Sequence, residues 1–303
     1  MAHRVGIVDL DTSHPGAFVQ IMKDMPDLDV VTVWDGGAVY DGGYAKEFAD
    51  EHGVPDAADS LDDLIGKVDA VLVQSANWDD HMDRARPIIE AGKPLFIDKP
   101  VVGNIAECLD LIELVKKHDA LILCGSSLRW PEEIADLKTR LDDFGEIKTV
   151  FCAGPSDLFN YGIHLIEMVQ GAFGTGVREV CHLGECGADL YKMVYENGLT
   201  VLFQAQVAGG FELVVVGTKK KETIKMGVNK KPYACLLEAF AKMLNEKQID
   251  ITIEQFLEPV KILIAAKVAR QTGLTIALED LEIDDGFDGT PFIREYRLSK
   301  LKK

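Results

Sequence analysis

The sequence contains no apolar run of about 18 residues, the length that a membrane-spanning helix requires. Its amino terminus also lacks an apolar stretch followed by a cleavage site, so we expect a cytoplasmic protein. Basic residues are scarce, with 32 Lys and Arg against 50 Asp and Glu and a formal net charge of -18. Because such a surface repels phosphate backbones and anionic lipids, neither nucleic acid nor membrane is an expected partner.

Cysteine pairs of the CxxC type are absent, although the chain has six cysteines. Several lie in apolar runs such as "ALILCG", which indicates reduced and mostly buried thiols. Two patterns offer metal donors, "CHLGEC" at 181–186 and "DLDTSH" at 9–14. In the first, Cys181 and His182 would point to opposite faces of a strand, and the second needs three side chains to converge. We therefore expect no metal site.

What the chain does have is length and apolar content, with 303 residues of which 47% are hydrophobic, enough for two domains. Short β-branched runs alternate with helical spacing over residues 1–125, which predicts a Rossmann-like parallel sheet. Strands then follow one another without helices between them, which indicates an antiparallel sheet. We predict an α/β protein whose second domain, residues 126–303, is α+β, built on an open, mainly antiparallel sheet and completed by two closing helices. The late stretch "EDLEIDDGFDG" is interpreted as an acidic surface loop.

The segment "VGIVDLDTSHPGAF" resembles the strand, turn and helix start of a dinucleotide-binding domain, except that Asp9 and Asp11 occupy the first two glycine positions of G-x-G-x-x-G. Those glycines permit the tight turn and the approach of a pyrophosphate to the helix end. A carboxylate there adds bulk and competes with phosphates for the helix-end N–H groups. Thr12, Ser13 or Asp11 could cap the helix. The pyrophosphate site is therefore expected to be compromised.

The second strand ends in "VTVWD", which places Asp35 where NAD-preferring domains bind the ribose hydroxyls. A 2′-phosphate would meet this carboxylate, so NAD is predicted over NADP, with loss of dinucleotide binding as the alternative.

Five segments in order resemble the Gfo/Idh/MocA oxidoreductases, the family of glucose-fructose oxidoreductase and inositol dehydrogenase. They are "EAGKPLFIDKP", "GSSLRWPEEIADLK", "FNYGIHLIEMV", "YENGLTVLFQ" with "VVVGT", and the closing helix pair from "LLEAFAKML" to "GLTIAL". The loop "SANWDDH" is similar to the family's nicotinamide-side loop. The resemblance runs nearly end to end.

The resemblance implies hydride transfer between a nicotinamide cofactor and a secondary alcohol or ketone of a sugar, cyclitol or related polyol. Lys99 would stabilise the alkoxide and His164 would act as base. On the residues alone, Lys99 could equally be a surface lysine in a Lys-Pro turn, and His164 a core histidine. The family usually has an acidic residue four positions before this histidine. Asn160 stands there and can orient the ring without offsetting its charge.

The turn motif and the resemblance together give two sets of candidate site residues. Catalytic candidates are Lys99, His164 and Asn160. Cofactor-binding candidates are Asp11, Thr12, Ser13, His14, Asp35, Ser75, Asn77, His81, Asp98 and Lys99. Substrate-binding candidates are Arg129, Trp130, Asn160 and His164.

The first functional hypothesis is an NAD-dependent dehydrogenase or reductase that acts on CH–OH groups. The alternative is a catalytically silent carbohydrate-binding or regulatory protein of the same fold that has lost dinucleotide binding. A homo-dimer or homo-tetramer is expected through the second sheet, because "TVLFQAQV" and "FELVVVG" leave a partly apolar outer face.

Overall fold

A computed structural model describes residues 2–185, 189–227 and 231–300. Its first part is a parallel sheet of five strands in the order β2-β1-β3-β4-β5. The strands are β1 His3–Val8, β2 Leu28–Trp34, β3 Ala70–Val73, β4 Leu95–Asp98 and β5 Ile122–Gly125. The helices are α1 His14–Met22, α2 Tyr44–His52, α3 Leu61–Lys67, α4 His81–Glu90 and α5 Ile105–His118. Every residue of β3, β4 and β5 is buried, as expected for short apolar strands covered on both faces.

The second part is a sheet of seven strands in the order β11-β10-β6-β9-β8-β7-β12. The strands are β6 Ile147–Ala153, β7 Val177–Glu185, β8 Asp189–Tyr195, β9 Thr200–Gln204, β10 Glu212–Gly217, β11 Lys221–Lys225 and β12 Ile276–Ala277. The helices are α6 Glu132–Thr139, α7 Gly162–Phe173, α8 Lys231–Glu246, α9 Ile253–Thr272 and α10 Thr290–Lys300. The β6–β9 pair is parallel and the other pairs are antiparallel. The predicted fold class is confirmed. The predicted boundary at residues 125 and 126 falls where β5 ends, and the division into domains stays a prediction.

The strands of the second sheet alternate between a buried and a half-exposed face. In β9, Val201 and Phe203 are fully buried, whereas Leu202 between them is partly exposed. Leu202 lies beside Phe151 of β6, which in turn pairs with Val214 of β10, and both of these are also partly exposed. The outer face thus carries an apolar strip of Phe151, Leu202 and Val214.

The carboxyl-terminal segment adds two features to the sequence interpretation. The acidic stretch lies at the surface, as interpreted, but it is attached to the neighbouring helix. Its backbone pairs with the start of α5, where the N–H groups of Ile105 and Ala106 donate to the carbonyls of Asp285 and Ile283 at 3.0 and 3.2 Å. A third closing helix, α10, then follows, and Phe292 on it packs on Trp78 with ring centroids 5.0 Å apart. The amino-acid composition did not predict the hydrogen bonds to α5, because the backbone of the acidic stretch makes them while its acidic side chains are exposed.

The thiols partly follow the sequence prediction. Cys108, Cys124 and Cys152 are buried, whereas Cys181 and Cys235 are half-buried. Cys186, and with it part of "CHLGEC", lies outside the described residues. Within the described ranges, no helix is long and apolar enough to cross a membrane.

Candidate active site

A small cavity lies at the carboxyl edge of the parallel sheet, where open α/β folds bind their ligands. Its volume is about 110 Å³, and Thr12, Ser13, His14, Ser75, Lys99 and Asn160 are among the residues that line it. These side chains follow β1, β3 and β4 or begin α7, so the sheet edge brings together residues distant in sequence. The structure thus places many of the predicted site residues around one space.

Lys99 lies directly after β4 and reaches across to the second domain. Its Nζ donates to Asn160 Oδ1 at 2.7 Å and to the Asn160 carbonyl oxygen at 3.2 Å. Burial lowers the pKa of the Lys99 ammonium, an effect that the Asp98 and Asp157 carboxylates oppose. An ammonium has three N–H donors, so one remains for a ligand in the cavity.

Asn160 was expected to orient His164, but its side chain is engaged by Lys99 instead. Its own N–H donates to Asp157 Oδ1 at 2.6 Å, which fixes the turn before α7. Asn160 therefore positions the Lys99 ammonium between the two domains.

Asp98, the last residue of β4, has two hydrogen bonds that anchor neighbouring groups of the site. Its Oδ2 lies 2.5 Å from His14 Nδ1, and its Oδ1 accepts from the Lys99 N–H at 2.7 Å. Burial alone would raise the pKa of the Asp98 carboxyl, but His14 and Lys99 outweigh it and hold that pKa at about 2. An ionised carboxylate accepts hydrogen bonds only, so the bridging proton lies on His14 Nδ1.

His164 is in the first turn of α7 and has a neutral partner. Its Nδ1 lies 2.6 Å from Ser126 Oγ, and Ser126 Oγ also accepts from the Leu128 N–H at 3.0 Å. Burial, together with the positive charge of Lys99, lowers the pKa of His164 well below its usual range. His164 is therefore a neutral imidazole beside the cluster formed by Lys99, Asp98 and His14.

The first glycine position of the turn after β1 is filled by Asp9 in the left-handed region, with a φ of 61°. Aspartate tolerates this conformation better than most residues. Its carboxylate is 1% exposed and accepts from the Gly36 N–H at 2.8 Å, Ser75 Oγ at 2.5 Å and Arg84 Nε at 3.0 Å. A Cβ at Gly36 would clash with the Arg84 guanidinium and with Asp9. Asp9 thus binds three surrounding segments to the turn.

Asp11, at the second glycine position, is also directed into the protein. It is fully buried, and its Oδ2 accepts from the Ala76 N–H at 2.8 Å while its Oδ1 has no partner. Burial raises the pKa of the Asp11 carboxyl to about 7, an effect that the Ala76 N–H opposes. The expectation that Asp9 and Asp11 compete for the N–H groups of α1 is therefore wrong, because both carboxylates bond elsewhere.

Asp35 follows β2 as predicted, and its carboxylate holds the turn. It accepts from the Leu10 N–H and the Gly37 N–H, both at 2.8 Å. Burial raises the pKa of the Asp35 carboxyl, and these two N–H groups oppose the rise. Its role in binding a ribose stays a prediction.

Two further cofactor candidates support the loop after β3. Asn77 accepts from the Asp79 N–H at 3.3 Å and begins the short 3-10 helix Trp78–Asp80. His81 is fully buried, with its ring nitrogens 3.0 and 3.1 Å from the carbonyl oxygens of Val101 and Ser75. The His81 ring thus lies between these two carbonyl oxygens, beside Ser75 at the cavity.

Arg129 and Trp130 are placed away from the Lys99 cavity. Arg129 is buried and forms an ion pair with the buried Glu167, and its Nη2 donates to Gln170 Oε1 at 3.0 Å. Trp130 lines a separate cavity with Lys138 and Met243. Their predicted contact with substrate stays a prediction, whereas the buried network of Arg129 joins the 3-10 turn Ser127–Arg129 to α7.

The amino end of α1 has features that fit a phosphate group. The Ser13 side chain makes no capping hydrogen bond, and the Thr12 hydroxyl accepts only from the His14 N–H at 3.1 Å. Unsatisfied N–H groups at a helix start favour anions. With Asp9 and Asp11 turned inward, neither carboxylate blocks this helix end, although the His14 N–H is already bonded to Thr12 and Pro15 has no N–H.

Helix α10 limits the cavity beside the amino end of α1. Phe292 and Tyr296 line the same cavity as Thr12 and Ser13, and Arg297 bonds Asp41 at 2.9 Å. Sites for drug-sized ligands measure roughly 300–1,000 Å³, far more than the 110 Å³ present. The cavity is therefore far smaller than the usual small-molecule site, and Phe292 and Tyr296 of α10 limit it on one side.

A Rossmann sheet with a lysine and two histidines at its carboxyl edge is joined to a mixed second sheet, and this architecture places a ligand site at that edge. Residues 12–126 match the family model GFO_IDH_MocA, described as an oxidoreductase family with an NAD-binding Rossmann fold. The match covers the Rossmann part of the chain and confirms the resemblance found in the sequence.

Similar proteins agree with this assignment. Inositol 2-dehydrogenase 1 of Saccharopolyspora erythraea is 32% identical over 157 residues, 50% of this chain and 45% of that protein. The chain spans about half or less of the length of the curated relatives that it matches.

Solved structures share the fold over most of the chain. Scyllo-inositol dehydrogenase from Lactobacillus casei with NAD(H) and scyllo-inositol has a TM-score of 0.79 at 17% identity, covering 92% of this chain and 100% of that one. GenD2 from gentamicin A biosynthesis in complex with NAD has a TM-score of 0.77 at 15% identity, covering 91% and 97%.

Sequence reasoning missed three parts of the site. Arg84, which pairs with Asp9, carried no motif, and neither did Ser126 beside His164. Tyr296 lay beyond the last predicted helix. The apolar residues of α10 recur at helical spacing at positions 292, 293 and 296, a signal that could have revealed the helix.

Proposed function

We propose that the protein is an NAD-dependent dehydrogenase or reductase that acts on a secondary alcohol or ketone of a sugar, cyclitol or related polyol. The observation that carries this proposal is the Lys99 ammonium, held by Asn160 beside two histidines at the carboxyl edge of a Rossmann sheet. Relatives named as inositol dehydrogenases support the substrate class. When bound, the nicotinamide supplies the hydride acceptor or donor.

The chain's own residues supply the remaining chemistry. The third N–H of Lys99 donates to the substrate oxygen and stabilises the alkoxide as the hydroxyl proton leaves. A histidine of the cluster accepts that proton. Thr12 and Ser13 at the amino end of α1 would hold the pyrophosphate, and Asp35 would face the adenosine ribose.

We expect the protein to bind NAD about tenfold or more tightly than NADP, because a 2′-phosphate would approach the Asp35 carboxylate. Calorimetric titration of the full chain with each dinucleotide measures the ratio. Asp35→Asn should reduce it, whereas Asp29→Asn, an exposed position on the same strand, should leave it unchanged. Equal affinities for the two dinucleotides in the wild type would contradict the role of Asp35.

A second candidate function is a catalytically silent protein of the same fold that binds a carbohydrate. The observation in its favour is the small volume of the cavity, about 110 Å³, which Phe292 and Tyr296 limit and which is well below that of sites for larger ligands. A ligand at 100 times its dissociation constant adds about 2.7 kcal/mol to the stability of the folded state. Thermal stabilisation by a polyol, without any by NAD or NADP, would favour this second function.

We also propose that the chain forms a homo-oligomer through the outer face of the second sheet, because the strip of Phe151, Leu202 and Val214 is partly exposed. Light scattering of the wild type should give at least twice the chain mass of 33.3 kDa. Leu202→Glu should yield monomers, since a charge would be buried in the interface. Leu109→Glu, at a half-exposed leucine on α5, is the control. A monomeric wild type at micromolar concentration would contradict this assembly.

A further inference from the structure

The two histidines near Lys99 differ in the group that fixes their protons. Asp98 is ionised, so His14 must carry its proton on Nδ1, where the 2.5 Å contact lies. A neutral imidazole has one N–H and one lone pair, so His14 Nε2 then keeps its lone pair. No partner is recorded for this nitrogen among the described residues, and His14 lines the cavity.

His164 has the opposite arrangement. The Ser126 hydroxyl is buried, and its oxygen already accepts from the Leu128 N–H. The hydrogen of the Ser126 hydroxyl needs an acceptor, because a buried donor without a partner costs about 1–3 kcal/mol. The lone pair of His164 Nδ1, 2.6 Å away, is the acceptor that the described residues provide. His164 therefore carries its hydrogen on Nε2 and can donate a hydrogen bond there, but it cannot accept a proton at that nitrogen.

We infer that His14, oriented by Asp98, is the residue that exchanges a proton with the substrate hydroxyl, and that His164 serves as a hydrogen-bond donor. This inference rests on the proposed function and changes the residue that the family resemblance designates. The carboxylate partner missing beside His164, where Asn160 stands, is present beside His14. Carboxylate partners fix the tautomer and raise the basicity of an imidazole.

The step balances with the groups named. In the oxidative direction the substrate O–H bond breaks and an N–H bond forms at His14 Nε2, giving an imidazolium paired with the Asp98 carboxylate. The electron pair left on oxygen, stabilised by the Lys99 ammonium, forms the carbonyl as the carbon loses its hydride to a nicotinamide dinucleotide. Reduction of a ketone reverses each transfer.

Packing around the ring also suits this role. The His14 ring stacks on Phe18 and meets Tyr233 at 5.1 Å between ring centroids. These aromatic contacts, with the hydrogen bond to Asp98, limit rotation of the ring, so that Nε2 keeps one direction.

The first test reads the tautomers directly and needs no substrate. Long-range proton–nitrogen NMR of histidine-labelled protein near pH 8, with His14→Gln and His164→Gln for assignment, should show hydrogen on Nδ1 of His14 and on Nε2 of His164. Asp98→Asn should remove the Nδ1–H form of His14 and leave His164 unchanged. Hydrogen on Nε2 of His14 in the wild type would overturn the inference.

The second test measures turnover of polyols with NAD. His14→Gln should lower kcat by about 10²–10⁴ with NAD affinity within threefold, whereas His164→Gln should lower kcat by less than about tenfold. His3→Gln, at the start of β1 and bonded to Asn245, is the matched control. If His14→Gln folds poorly by circular dichroism, His14→Asn replaces it. A kcat that survives His14 substitution but falls with His164→Gln would overturn the inference.

Failure of the proposed function can be distinguished from failure of the inference about His14. Absence of NAD binding and of any polyol oxidation in the wild type would refute the proposed function. The NMR result would still decide whether His14 Nε2 holds the lone pair that proton exchange requires.

Discussion

Replacing Arg129 with methionine is expected to lower the free energy of unfolding by about 3–5 kcal/mol, because it leaves a charged partner buried without compensation. That partner is Glu167, which is fully buried in α7 and has Arg129 as its cationic contact. Burial raises the pKa of the Glu167 carboxyl, and the Arg129 guanidinium opposes this rise. Urea unfolding at pH 7, followed by circular dichroism, measures the change.

Two further variants separate the buried pair from a general effect of losing an arginine. Arg4→Met breaks an exposed pair with Asp69 and should cost no more than about 1 kcal/mol. The double variant Arg129→Met with Glu167→Leu should recover most of the loss, since apolar residues of similar size replace both charges. An Arg129→Met variant as stable as Arg4→Met would show that Glu167 needs no partner.

Replacing Lys99 with methionine is expected to lower kcat for polyol oxidation by about 10²–10³, the usual cost of removing a donor to a developing oxyanion. The affinity for NAD should change little, because the pyrophosphate would lie at Thr12 and Ser13. Methionine keeps the length of the side chain and loses both hydrogen bonds to Asn160. Steady-state kinetics and calorimetry on the same preparation separate the two effects.

Lys93→Met is the matched control for this experiment. Lys93 precedes β4 at its opposite end, and its Nζ donates to the Val68 carbonyl oxygen at 2.8 Å. It should leave kcat unchanged. If Lys99→Met retained near-normal turnover, the ammonium would have no part in stabilising the alkoxide.

Much of the fold could be predicted because it depends on local patterns. The four-residue strands β3, β4 and β5 are fully buried and mostly apolar, and each is followed by a polar residue at the sheet edge. The predicted alternation along β9 is present, with Val201 and Phe203 buried and Leu202 between them partly exposed. Even α9 was recognisable despite Pro259, because its apolar residues continue on both sides of the proline.

The errors concern segments whose partners are distant in sequence. Asp9 and Asp11 were interpreted from the missing glycines alone, whereas their bonds to Gly36, Ser75 and Ala76 decide where they point. The acidic stretch before α10 was interpreted from its side chains, although its backbone pairs with the start of α5. Neither fact has a signal within the segment itself.

The sequence by itself determined the alternating β/α order, the placement of Lys99 and Asp98 at the end of β4, and the family motifs, since strand periodicity and chain order are local properties. Only the tertiary structure decided which histidine has the carboxylate. His14 and Asp98 are 84 positions apart and meet at 2.5 Å because α1 begins beside the carboxyl end of β4. It also decided that Phe292 and Tyr296 of α10 line the same cavity as Thr12 and Ser13, because the packing of a helix depends on the apolar surface that the rest of the folded chain presents.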